Sequence, residues 1–379
     1  MKKVLLITSF PPNIGGGAVN VKSVIPYFKE LDINWIYLHN EDLNLEGYPY
    51  IGQPLMGGSL IKDLKNSLLL WSGFKTKEFE DILAKIISFK ADVYWIVGHN
   101  EGILIARELA RTTKTPIHIS LHDDIPYGVF GRSLRYRWLS GIAQKRFADA
   151  LRSARTIDVT SDAMRDRYQK TLGVNSIVFH PYVPSLPKLA PFSLDGNSLV
   201  VGHVGTLYTL SELRLFCQSL QEYAQQKGLK ARMVLIGLAQ KFIKITEEFP
   251  QLISILPNLL ESEAVVQLHQ CNFLYAMYPF DRNSAIFRQT SLATKLTTCV
   301  QAQRPVFAHT PEDSSLATVV TKYNLGLTCN SITVSDLTNA IEKMHRYQVE
   351  PNTFETVRTA LYDGDNVSKL EKCLLENSY

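Results

Sequence analysis

Val4-Leu5-Leu6-Ile7-Thr8-Ser9-Phe10-Pro11-Pro12-Asn13-Ile14-Gly15-Gly16-Gly17-Ala18 opens the chain with a short apolar run, two prolines and three consecutive glycines. A run this short, cut off at once by prolines and glycines, is the pattern of a buried strand rather than of a secretory leader. The glycines permit a tight turn, and from Ala18 to Glu30 the apolar residues return at helical spacing. Strand, glycine turn and helix is the unit from which open α/β sheets are built.

The same unit recurs. Apolar, β-branched and aromatic runs at Val4–Ser9, Ile33–Leu38, Val93–Val97, Ile117–Leu121 and Ile157–Ser161 each predict a buried parallel strand. Lys77–Phe89, Gly102–Arg111 and Leu134–Ser153 predict helices between them. Pro181, Pro184, Pro187 and Pro191 exclude a helix or central strand over 181–191 and mark a linker. A second cycle follows, with strands expected at Leu199–Val204, Met233–Ile236, Leu252–Leu256, Phe273–Ala276 and Val306–Ala308, and helices near Leu210–Gln226, Glu261–His269 and Leu292–Gln303. Past Thr328 the pattern turns helical, with Ser335 expected to cap Asp336–Tyr347 and an amphipathic stretch at Val367–Glu376. The expected fold is α/β, two Rossmann-like doubly wound domains facing a cleft, divided at 1–185, 186–350 and 351–379.

Composition narrows the function classes. A chain of 379 residues with 45% hydrophobic and 20% charged residues is ordinary for a globular protein of two domains. The longest apolar runs fall short of the roughly 20 residues a membrane span requires, since Ser67–Trp71 is closely flanked by lysines. Five cysteines without a C-x-x-C pair fit neither a disulfide framework nor a zinc site. A net charge of +4 is too small to imply nucleic-acid binding. The expected location is the cytoplasm or the membrane periphery.

Parallel sheets bind ligands beyond the carboxyl ends of their strands, where glycines bring backbone N–H groups up to an anion. Four places fall there. Gly15, Gly16 and Gly17 form the first, although such a turn also serves simply to reverse the chain. His122 and Asp123, in Leu121-His122-Asp123-Asp124, follow a strand at the same edge and can hold sugar hydroxyls or orient a leaving group, where a capped loop is the blander alternative. Gly205 and Thr206 occupy the equivalent turn of the second half. The fourth runs from Tyr278 to Pro305, where Thr294 and Lys295 lie at or near a helix start and place a hydroxyl and an ammonium toward a phosphate. A basic stretch from Arg132 to Arg155 is interleaved with Tyr136, Trp138 and Phe147. It could rest on an anionic membrane, but a solvated face with its aromatics turned inward is preferred.

These residues resemble the GT-B glycosyltransferases of the group 1, glycogen-synthase-like, retaining kind. Phe10-Pro11-Pro12 with Gly15-Gly16-Gly17 looks like that family's P-P-x-x-G-G turn, and Leu121-His122-Asp123 resembles its first-domain His-Asp loop. Val159-Thr160-Ser161-Asp162-Ala163-Met164 is similar to V-x-S-E-x-M. Ser291-Leu292-Ala293-Thr294-Lys295-Leu296, followed by Ala302-Gln303-Arg304-Pro305-Val306, looks like the S-F-P-S-K-L…G-K-P-V stretch. The likeness runs from residue 3 to about residue 330.

The resemblance implies an enzyme that moves a sugar from a nucleoside-diphosphate sugar to a carbohydrate or lipid-linked acceptor with retention, requiring no metal or other cofactor. It implies an acceptor-binding domain over 1–185, a nucleotide-sugar domain over 186–350, and helices over 351–379 that pack back on the first. His122, Asp123 and Lys295 would then be catalytic, with Gly205, Thr206, Gly237, Arg282, Ser291, Thr294, Lys295 and Thr298 on the donor and Gly15, Gly16 and Gly17 in the cleft. The chain departs from the family where two glutamates eight residues apart are usual, since Thr290 and Thr298 stand there, and Thr206 stands where an arginine is usual. Lys295, with Arg282 or Arg288, must then neutralise phosphate. The same losses support a second reading, a weakly active or inactive homologue that binds glycan or nucleotide as a scaffold. A nicotinamide-dependent dehydrogenase is disfavoured because G-x-G-x-x-G is missing.

Overall fold

The computed structural model describes residues 1–12, 16–56, 60–99, 101–131, 133–193, 196–350 and 352–376. They divide into two compact units, the first comprising Met1–Tyr182, Gln289–Leu292 and the chain from Gly364 onward, the second Val183–Arg288 and Ala293–Asp363. Gly15 and Arg132 lie outside the described residues.

The first unit holds seven parallel strands: β1 (Lys2–Thr8), β2 (Leu31–Leu38), β3 (Tyr50–Gly52), β4 (Val93–Val97), β5 (Ile117–Leu121), β6 (Thr156–Val159) and β7 (Ile177–Val178), in the order β3-β2-β1-β4-β5-β6-β7. Side chains alternate across a strand, and the two faces of β1 show it. Leu5 and Ile7 join the core under the helices Lys77–Ser88, Gly102–Thr112 and Ser140–Ser153. Val4 and Leu6 point to the opposite face with Trp35, Val93 and Trp95, which the helix Asp365–Leu375 covers through Val367, Leu370 and Leu374. The same terminal helix is tied down by polar contacts: Lys2 Nζ donates to the Leu375 carbonyl at 3.0 Å, and the Glu371 carboxylate accepts from the Lys29 and Glu30 amides. Between sheet and helix, His118 Nε2 lies 2.8 Å from an Asp158 carboxylate oxygen that also accepts from Ser120, whose hydroxyl in turn accepts from Trp95 Nε1.

The second unit repeats the architecture with β8 (Ser198–Val204), β9 (Lys230–Ile236), β10 (Ile253–Leu256), β11 (Phe273–Met277), β12 (Val306–His309) and β13 (Gly326–Cys329), all parallel, in the order β10-β9-β8-β11-β12-β13. Both sheets are Rossmann-like. Strand order reverses between β1 and β4 in one and between β8 and β11 in the other, and such reversals open the crevices where ligands bind.

Several expected elements end elsewhere. The helix from Ala18 stops at Lys22 and gives way to a 3-10 turn over Ile25–Tyr27, because Pro26 lacks the N–H that an α-helix would need. The helix expected from Leu134 begins only at Ser140, behind a 3-10 turn at Arg137–Leu139, and the one expected over 292–303 contracts to Lys295–Gln301. Ser335 does not cap. The Thr333 hydroxyl accepts from the Asp336 amide at 3.3 Å, and the helix runs Val334–His345.

Candidate functional site

In the second unit, β8 ends in a turn at Gly205, whose φ of +77° suits glycine. The Gly205 amide donates to the Ile236 carbonyl at 2.9 Å, which pins the turn against β9. Lys295, the first residue of the helix Lys295–Gln301, donates from its ammonium to the Thr206 carbonyl and lies 4.9 Å from the centre of the Tyr208 ring. Two segments far apart in sequence thus meet at the carboxyl end of β8. An ammonium has three donors, and the Thr206 carbonyl uses one.

The surroundings set the charge of this cluster. Lys295 is half-buried, and that burial lowers its pKa to about 8. Beneath it, His203 turns Nδ1 to the Tyr275 carbonyl at 2.8 Å and Nε2 to the Gly205 carbonyl at 3.2 Å. Burial, reinforced by the Lys295 charge, holds that imidazole down to about 3, so it is neutral at pH 7. Lys295 is therefore the cation at this turn.

Neighbouring positions divide. Gly237 ends β9 with a φ of +71°, and a Cβ there would fall 2.5 Å from Asn258 Oδ1, so only glycine fits without a shift. Thr294 is half-buried at the helix start and makes no side-chain cap. Arg282 is exposed in the 3-10 turn after β11. Arg288 cannot serve a phosphate as it stands, because its guanidinium grips both Asp313 carboxylate oxygens at 2.7 and 2.9 Å. Glu212 sits in the first turn of the helix Leu210–Lys227. Burial opposes its charge, but hydrogen bonds from Ser211 and the Phe280 amide keep it below the usual carboxylate range.

One carboxylate that sequence reasoning missed lies against Thr298. Thr298 is buried, and a carboxylate reaches it from the adjacent helix: Glu261, first residue of Glu261–His269, is hydrogen-bonded to Thr298 and accepts from the Gln301 amide at 2.8 Å. Burial raises its pKa. An acid at a helix start satisfies the dipole, so its sequence position alone carried no other signal.

In the first unit, the carboxyl ends of β4 and β5 carry a histidine pair. His99 Nε2 and His122 Nδ1 are 3.2 Å apart, and His122 Nε2 is buried without a partner among the described residues. Burial, with His99 beside it, lowers the His122 pKa to about 3. Gly17 is packed against this ring: a Cβ there would lie 2.8 Å from the Phe10 ring and 3.3 Å from His122 Nδ1. Gly16 begins the same helix. Asp123 accepts from the Ser291 hydroxyl at 2.9 Å, while the Ser161 hydroxyl donates to the Thr290 carbonyl at 2.5 Å. Ser291 thus sits with Asp123 in the first unit, and Lys295 sits with Gly205 and Thr206 in the second.

Compared as a sequence, the chain matches no family profile and no curated protein. Compared as a structure, it resembles an α,α-trehalose-6-phosphate synthase from Burkholderia multivorans, with a TM-score of 0.66 at 14% identity over 99% of this chain and 98% of the other. The lipopolysaccharide outer core galactosyltransferase WaaB gives 0.62 at 11% identity, covering 98% of each chain. A UDP-GlcNAc 2-epimerase from Methanocaldococcus jannaschii gives 0.57 at 11% identity, over 98% of this chain and 99% of that one. Likenesses at this identity speak for the fold, which is of the GT-B type. They do not choose a reaction, since transferases and an epimerase share it.

Proposed function

We propose that the protein transfers a sugar from a nucleoside-diphosphate sugar to a hydroxyl of a carbohydrate or lipid-linked acceptor, with retention of configuration. The observation that carries this reading is the Lys295 ammonium fixed at the Gly205–Thr206 turn. The chemical task is to stabilise a diphosphate as it departs, and a preorganised cation with backbone amides does so without reorganising at the moment of reaction. In this reading Lys295 and the turn take the phosphates, Gly237 and Thr294 line the donor site, and Arg282 can swing to it from its exposed turn. Glu261, bonded to Thr298, supplies the carboxylate for the ribose hydroxyls that position 298 lacks. On the first unit, the open Nε2 of His122 and the Asp123 carboxylate hold sugar hydroxyls, and Gly16 and Gly17 let the chain approach them.

Calorimetry with UDP, GDP and their sugars, followed by detection of released nucleotide in the presence of glycan acceptors, tests the proposal. Binding that Lys295→Ala abolishes, together with acceptor-dependent release, is expected. A second reading has one observation in its favour: Arg288 is committed to Asp313, so Lys295 is the one cation already held at the turn among the described residues. A scaffold that binds nucleotide or glycan without turnover would satisfy that geometry, and binding with no release from any donor would decide for it.

A further inference from the structure

Twelve large hydrophobic side chains are exposed among the described residues, and six of them lie on two neighbouring elements of the first unit. Ile61 and Leu68 project from the helix Leu60–Ser72, Phe74 follows just beyond it, and Leu134, Trp138 and Ile142 line the stretch that leads into Ser140–Ser153. Leu134 is 82% exposed and Trp138 55%, where the sequence pattern favoured aromatics turned inward. Tyr136 and Phe147 do turn in, so the exposure of Trp138 is specific to its place on the surface.

The two elements run side by side. The Tyr136 hydroxyl donates to the Asp63 carboxylate near one end, and Arg146 donates to the carbonyls of Trp71 at 3.3 Å and Ser72 at 3.1 Å near the other. Positions 61, 65 and 68 share one helical face, and 142 and 145 share one on the helix Ser140–Ser153. Between the apolar side chains stand Lys62, Lys65, Arg135, Arg137 and Lys145, all exposed. Asp63 is the one acid in 60–72 and 133–148.

We propose that this face, which carries Trp138, Leu134 and five exposed basic side chains, docks the first unit on an anionic lipid surface. Apolar side chains in contact with the acyl boundary and basic ones in the headgroup layer are what such a surface selects. A protein surface of mixed charge would be matched by acids interspersed with the bases, and Asp63, already bonded to Tyr136, is the one acid these two segments offer. Charge complementarity therefore favours a uniformly negative, apolar-backed surface.

The test uses the whole chain and vesicles of phosphatidylcholine with or without phosphatidylglycerol. Co-sedimentation should depend on phosphatidylglycerol and weaken with salt. Since Trp35, Trp71 and Trp95 are buried, lipid brominated high on the acyl chain should quench Trp138 selectively in the unaltered protein. At roughly fivefold per basic side chain near the surface, Arg135→Glu with Arg137→Glu should weaken vesicle binding at least about twentyfold. Failure to sediment at low salt, an unquenched Trp138, or equal binding by the double variant would overturn the proposal. So would a dimer by light scattering that Trp138→Ser dissociates, which would assign the face to a second copy of the chain.

Discussion

Lys295→Met separates what the lysine does for the fold from what it does for a ligand. Methionine keeps the length of the side chain and removes the charge. In the folded protein the ammonium titrates at about 8 against an ordinary 10.5, because burial disfavours its charge. At roughly 1.4 kcal/mol per pH unit, that difference corresponds to about 3 kcal/mol, of which solvent around a half-buried side chain leaves about 2. Below pH 8 the parent therefore folds against this opposition, and Lys295→Met should be more stable in urea by about that amount. Between about 8 and 10.5 the unfolded chain holds more protons than the folded one, so the parent's stability rises with pH and the gap closes. For nucleotide the sign reverses. Hydrogen bonds to a charged group contribute about 1.5 to 3 kcal/mol, so UDP affinity measured by calorimetry should fall roughly ten- to a hundredfold in the variant. The parent's own affinity should decline from pH 8 upward toward the variant's. A variant that binds UDP as tightly as the parent, or a parent affinity that stays level across that range, would refute the placement of phosphate at this turn.

Gly17→Ala puts a methyl 2.8 Å from the Phe10 ring; the overpacking should destabilise the first unit by about 1 to 3 kcal/mol and reduce transfer while calorimetry shows donor binding unchanged. Glu261→Gln keeps the shape but weakens the acceptor toward a ribose, so UDP affinity should drop severalfold and pyrophosphate affinity should not, which parallel titrations of the two ligands would reveal. Asp158→Ala strands His118 and Ser120 in the interior. Removing one partner from such a buried network costs about 3 to 5 kcal/mol, and denaturation monitored by tryptophan fluorescence should register it.

What could be foreseen followed burial. β4 is buried along its whole length, and a strand covered on both faces reads as a continuous apolar run, so its sequence is plain. The edge strands β3, β7 and β13 are short and half-exposed, and nothing in their composition sets them apart from loop. Lys295 and Gly205 could be brought together on paper because both follow from strand-to-helix turns at one edge of a sheet. Arg288 could not be discounted, since its pairing with Asp313 spans 25 positions and depends on how the turn after β11 folds. Glu261 was hidden for a similar reason: its relation to Thr298 joins two helices, and sequence spacing speaks only for contacts within one.

The terminal helix Asp365–Leu375 has a consequence for the order in which the protein can be made. Val4, Leu6, Trp35 and Trp95 are synthesised early, yet Val367, Leu370 and Leu374, which cover them, come about 270 to 370 positions later. One side of the first sheet, covered early only by Ala18, Val21 and Val24, therefore stays partly open while the second unit is translated. During that interval two tryptophans lie on an unfinished surface of the kind chaperones recognise, and the first unit is complete only once the helix Asp365–Leu375 has been made.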